Sequence, residues 1–205
     1  MKTLTAVQED ALVELLNIGF GRAAAALSQL TGHRVLLEVP HISLQAIDEV
    51  GGALERVVHG HVASVHQIFS GPVNGDALLI LDEDGASMLK ELLTNEPALP
   101  LSIDASAREV IAEVGNILLN ACLGTFGNLL KVRVSFSVPH LTIESVGAIL
   151  QSLTVSQEGL RYALVVHAGF RLRDAQVNGY LVIVLSVASL DRLIRAVDDW
   201  EDPQS

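Results

Sequence analysis

Asp10, Glu14 and Asn17 stand at positions i, i+4 and i+7, and Glu109, Glu113 and Asn116 repeat the same spacing further along the chain. On a helix of about 3.6 residues per turn, either set makes one narrow polar stripe. Polar groups so aligned are solvated, hydrogen-bonded internally or presented together at a site. Each stripe is followed by a proline in nearly the same context, Val39-Pro40-His41-Ile42-Ser43 and Val138-Pro139-His140-Leu141-Thr142. Glu14 to Glu113, Asn17 to Asn116 and Pro40 to Pro139 are all steps of 99 positions.

Taken singly, the first stripe needs no function. Acids near a helix start favour the macrodipole, and a polar stripe is ordinarily the solvated face. Asn17 is harder to absorb, because asparagine is a poor residue inside a helix. In the second stripe Glu113 and Asn116 interrupt a run apolar enough to be core, so they are either exposed at a site or hydrogen-bonded internally. The recurrence shifts the weight toward two equivalent sites, although a duplicated segment would also repeat residues that serve only folding. Glu109 has a second reading as the acid of a capping box opened by Ser106.

The elements that must carry these stripes follow from local signals. Thr5-x-x-Gln8 is a capping-box signature that opens a helix with Leu12, Val13, Leu15 and Leu16 on its apolar side. Gly19 and Gly21 predict a bend, after which an Ala-rich helix runs to a C-cap at Gly32. Strand follows over Val35 to Val39 and ends at Pro40, which cannot donate to a ladder. Arg56 to Phe69 reads as strand, Val73-Asn74-Gly75-Asp76 as a hairpin turn, 77–81 as strand and 82–94 as a short helix.

Two prolines in 95–104 mark a connection, after which the order repeats. A helix carries the second stripe, 132–138 and 161–172 read as strands, Asn178-Gly179 as a second hairpin turn before 181–185, and 189–200 as the closing helix. The whole is expected to be α+β. It is a single pseudo-two-fold domain over 1–205, built from an internal repeat of about 5–95 and about 104–200, with a shared β-sheet and the two stripe-bearing helices side by side on its outside.

Composition narrows the function. The chain has 205 residues, half of them apolar, and a formal charge of -11 with no run of lysine or arginine, which argues against nucleic acid or an anionic membrane as partner. The single Cys122 cannot form an internal disulfide and lies in an apolar helical run, where it packs as a small hydrophobe. The N-terminal residues carry acids where a signal peptide would be apolar, and no apolar run reaches the roughly 18 residues of a membrane span, so a cytoplasmic protein is expected. His59, His61 and His66 are the nearest approach to a metal cluster, but no third ligand completes a tetrahedral site. Nucleophile triads, phosphate-binding glycine loops and CxxC motifs are absent from the sequence.

An Asp or Ser, three residues, Glu, two residues, Asn, twenty-two residues and Pro is the signature of the CheC/CheX/FliY phosphatases of bacterial chemotaxis. Asp10, Glu14, Asn17 and Pro40 match it in full, and the flank Asn17-Ile18-Gly19-Phe20-Gly21-Arg22 also resembles that family. The second copy keeps Glu113, Asn116 and Pro139 but has Glu109 at the first position. Two copies in one chain resemble the CheC type rather than the single-site CheX type.

The resemblance implies a protein phosphatase that accelerates hydrolysis of the phosphoaspartate of a CheY-like response regulator. It implies Glu14, Asn17, Glu113 and Asn116 as catalytic residues, with the asparagines orienting the attacking water and the glutamates docking on the receiver. No cofactor of its own is expected, since the receiver supplies Mg²⁺, and a monomer is expected. A non-catalytic adaptor that binds a phosphorylated receiver or a CheD-type deamidase is the alternative. A protein that kept only the fold is the blandest reading.

Overall fold

The computed structural model describes residues 2–94, 105–156, 159–172 and 175–201. The expected connection at 95–104 and the tail after 201 lie outside them. Thr5 caps the first helix as expected: its hydroxyl accepts from the Gln8 backbone N–H at 3.2 Å, and the Gln8 side chain accepts from the Thr5 N–H at 3.0 Å. A complete box is worth about 1 kcal/mol. The helix, α1 (Ala6–Thr31), runs unbroken to Gly32, whose φ of 69° makes the left-handed cap.

The expected division into two helices at Gly19 and Gly21 does not occur. Gly19 is instead a contact point. A Cβ there would sit 3.0 Å from Cys122 Cα and 3.2 Å from the Ala121 carbonyl oxygen, so glycine lets a second long helix, α4 (Ala105–Leu129), lie directly against α1. Ser106 is already helical, so it is not the N-cap, and Glu109 does not close a capping box.

β1 (Val35–Ala46) does not stop at Pro40. Its pairing with β6 (Leu160–Leu172) shifts register between Glu38 and His41, and the proline falls in that bulge of an edge strand, where its missing N–H costs no ladder bond. In the second half the corresponding strand is much shorter than expected. Only β4 (Ser135–Phe136) forms within 132–138, and Pro139 precedes β5 (His140–Ser145). β2 (His61–Ser70) and β3 (Gly75–Asp82) form the first hairpin. Asn178-Gly179 is not a turn: both residues lie inside β7 (Ala175–Ser186), opposite Gly169 and Ala168 of β6.

The sheet runs β1-β6-β7-β3-β2-β4, with β5 also paired to β2, and every pairing is antiparallel. The order of helices and strands is the same in both halves apart from β4, and includes two helices that the sequence reading lacked, α2 (Ile47–Leu54) and α5 (Val146–Ser156). With α3 (Glu83–Thr94) and α6 (Val187–Glu201), the helices cover both faces of the sheet.

On one face, α1 and α4 bury Leu12, Leu16, Phe20, Ile111, Leu118 and Leu119 against Val65, Leu79 and Leu181, joined by α3 and α6. On the other, Val50 and Leu54 of α2 meet Ile149, Leu150 and Leu153 of α5 over Leu78, Ile80, Val165 and Val182. Each such side chain contributes roughly 1.5–3 kcal/mol by leaving water. β3 at the centre is consequently buried along nearly its whole length. By length and hydropathy alone, α1 and α4 would each qualify as membrane spans, contrary to the expectation that no stretch would. Half of the α1 window and 56% of the α4 window are buried within this fold.

Candidate functional site

The apolar faces of α1 and α4 are fixed on the sheet, so their opposite faces must point outward. Asp10, Glu14 and Asn17 are all exposed on α1, and none has a side-chain partner among the described residues. On α4, Glu109 and Glu113 are exposed and equally unpartnered, while Asn116 is half-buried. The expectation of two stripe-bearing helices side by side therefore matches the structure. Asparagine inside a helix costs only about 0.5 kcal/mol relative to alanine, so the scaffold tolerates Asn17 easily without needing it.

The helices run antiparallel: Gly19 meets Ala121 and Cys122, while Leu30 and Thr31 face the groove that Glu109 and Val110 share. Asn116 therefore lies level with a residue about eight positions beyond Asn17, or about 12 Å further along the shared axis at 1.5 Å per residue. The structure brings Glu14 next to Asn17 and Glu113 next to Asn116, as two separate pairs on one surface.

Their surroundings differ. Asn120 Nδ2 donates to Asn116 Oδ1 at 2.8 Å. The residue in the same place on α1 is Gly21, which offers no side chain. Asn116 thus has one amide atom engaged, with its NH₂ group left for a ligand, whereas Asn17 keeps both. Asn120 was legible only as the one polar mismatch between the stripes, one turn beyond Asn116.

Beside Glu113 opens an apolar groove of about 280 Å³ lined by Leu30, Thr31, Leu93, Val110 and Val114. Leu30 is 61% exposed there. At the first stripe, His41 Nδ1 lies 3.9 Å from Glu9 Oε1, which places the residue after the Pro40 bulge beside the start of α1.

The other candidates separate from these sites. Cys122 is fully buried between the two helices, and burial pushes its thiol far up, so it packs as a small hydrophobe. His59 and His61 are exposed, while His66 Nε2 bonds Asp76 Oδ1 at 2.6 Å on the α2/α5 side of the sheet. Tyr180 is raised in pKa by burial first and by the Asp82 carboxylate second, and stacks at a tilt on His167 with ring centres 5.2 Å apart. His61, His66, His167 and Tyr180 lie on strands of the sheet, away from the outer face of α1 and α4.

No protein-family model matches the chain. It is 30% identical to the CheY-P phosphatase CheC of Bacillus subtilis over 201 residues, covering 93% of each protein. Among solved structures it is similar to FliY of Thermotoga maritima, with a TM-score of 0.78 at 18% identity over 97% of this chain and 99% of that one. It is also similar to the FliM middle domain of H. pylori, with a TM-score of 0.62 at 12% identity over 94% and 99%. The two structural likenesses show the fold, and the first relative, near full length on both sides, shows the family: the chain belongs to the CheC/CheX/FliY chemotaxis phosphatase family.

Proposed function

We propose that this chain accelerates hydrolysis of the phosphoaspartate on a CheY-like response regulator, with one site at Glu14 and Asn17 and another at Glu113 and Asn116. The observation that carries the reading is the pairing of an exposed, unpartnered glutamate with an asparagine one turn away, twice on one outward surface, in a chain 30% identical to a CheY-P phosphatase. We also read the two halves as copies of one unit, which the common order of elements supports.

An acyl phosphate needs little help. Water attacks phosphorus in line, the bond from phosphorus to the aspartyl oxygen breaks, and the products are inorganic phosphate and a free carboxylate that leaves without needing a proton. The receiver brings its own divalent cation and lysine to balance charge on the phosphoryl oxygens. What remains is to hold the water, and a carboxamide does that by accepting from the water O–H or donating to its oxygen. Glu14 or Glu113 pairs with a cationic side chain of the receiver and fixes the register. The glutamate and asparagine lie on the same helix face, so one docking event sets both.

Decay of the acyl phosphate on a receiver, followed with the unmodified chain and with Asn17→Ala, Asn116→Ala and the double variant, tests this. The double variant is expected to lose nearly all acceleration. Acceleration equal to that of the unmodified chain would sink the mechanism, and tight receiver binding without any acceleration by the unmodified chain would favour an adaptor.

A further inference from the structure

Thirteen lysines and arginines are scattered through this sequence against 24 acids, with no cationic run. Folding nevertheless brings two of them to the wall of one groove, with two more next in sequence to residues of its floor. An open groove of about 470 Å³ lies between α6, the β2–β3 turn and the segment after α4. Its floor is Pro72, Val73, Leu130 and Val132, and Arg192 and Arg195 stand on its α6 wall. Both arginines are exposed and lack an ion-pair or hydrogen-bond partner among the described residues. Asp199 also lines the groove, one turn from Arg195, yet no ion pair joins them. Lys131 and Arg133 flank Val132 and are exposed as well.

Lys131 supplies a second, independent observation. Its N–H donates to the Asn128 carbonyl at 3.1 Å and the Val132 N–H to the Gly127 carbonyl at 2.9 Å, a Schellman close to α4. The residue at that position takes a left-handed backbone, and Lys131 has a φ of 53°, the one positive φ outside glycine among the described residues. At the end of α1 the same role falls to Gly32. A lysine is held where glycine is easier, and it stands beside the arginine-walled groove.

From this groove we propose a docking site for an acidic segment of a partner protein, with carboxylates meeting Arg192, Arg195, Lys131 and Arg133 and an aliphatic side chain seated on Val73, Leu130 and Val132. Charge complementarity names the occupant. The chain as a whole is acidic, and at this groove two unpartnered arginines stand against one lining carboxylate, a local excess of positive charge that attracts an anionic segment and orients it. A nucleic acid fits less well, because four cations on a chain of net charge -11 make no continuous track for a phosphate backbone. The site is separate from the outer face of α1 and α4, so it stands whether or not the phosphatase reading does.

The probe is a fluorescein-labelled ten-residue peptide alternating glutamate and leucine, with its glutamine counterpart as control, titrated with the full chain by anisotropy. Preference for the acidic peptide by at least tenfold is expected, weakening as salt rises and lost in R192Q/R195Q. Lys131→Gly is expected to weaken binding two- to threefold while raising the denaturation midpoint, a combination that a merely structural lysine would not give. Unchanged circular dichroism in R192Q/R195Q confirms that the fold survives. Equal binding of the two peptides, binding unaffected by R192Q/R195Q, or no binding would overturn the proposal, as would stronger arginine-dependent binding of a 20-nucleotide single strand.

Discussion

The stripes on α1 and α4 carry the same glutamate and asparagine, and the helices bearing them lie against one another, yet the two asparagines live differently. Asn17 is exposed, with Gly21 one turn away, and keeps its amide free to rotate. Asn116 is half-buried and already held by Asn120. A free side chain loses its rotational freedom on engaging any ligand; a held one has lost it on folding. Identical motifs therefore sit in unequal surroundings, and the inequality resides in a residue outside the motif.

The comparison breaks or sharpens most clearly at the asparagines themselves. Replacing both with alanine is expected to lower acceleration of acylphosphate decay by about 100-fold, the scale of lost positioning. Of the single variants, Asn116→Ala is expected to cost more than Asn17→Ala, and equal costs would mean that Asn120 is idle. Gly19→Val comes next. A side chain pressed onto the Cys122 backbone should destabilise the fold by about 2 kcal/mol, read by urea denaturation, and should weaken both sites together because it separates their common platform.

Asn120→Ala is expected to cost the second site about fivefold, equivalent to about 1 kcal/mol of hydrogen bonding, and measured in an Asn17→Ala background so that only that site acts. Gly21→Asn, at a position with open space around it, should raise the first site in the reciprocal background. The smallest effects fall at the helix ends. Gly32→Ala should lose about 1 kcal/mol and Lys131→Gly should gain a similar amount, both by thermal unfolding, because the two positions share a left-handed backbone.

Much of this molecule was legible where local chemistry agrees with the fold. The Thr5 box, the Gly32 cap and the stripes themselves all follow from residue type and spacing, and so does the existence of the first hairpin, although its first strand starts at His61 rather than Arg56 and its turn occupies 71–74, with Gly75 and Asp76 already paired in β3. α2 and α5 were not legible: Ile47–Leu54 contains two glycines, Val146–Ser156 is apolar and β-branched enough to pass for strand, and both owe their helicity to the sheet face they cover. Asn178-Gly179 shows the reverse, a strong turn signal overridden because β7 needs an uninterrupted strand between β6 and β3. The arginine groove escaped because its parts come from three distant stretches of chain. Gly19 was visible as an anomaly but misassigned to a division between two helices, since a sequence does not say which neighbour will press against a missing side chain.

The strand order has a consequence for how the molecule could be taken apart. β1 finds its partner in β6 and β5 finds its partner in β2, so each half lends an outer strand to the other's hairpin, and the halves meet along β3 and β7. Neither half closes its own sheet. Cut within 95–104, the chain would yield two fragments that must clasp each other to fold, a built-in split reporter whose reassembly restores both asparagine sites at once.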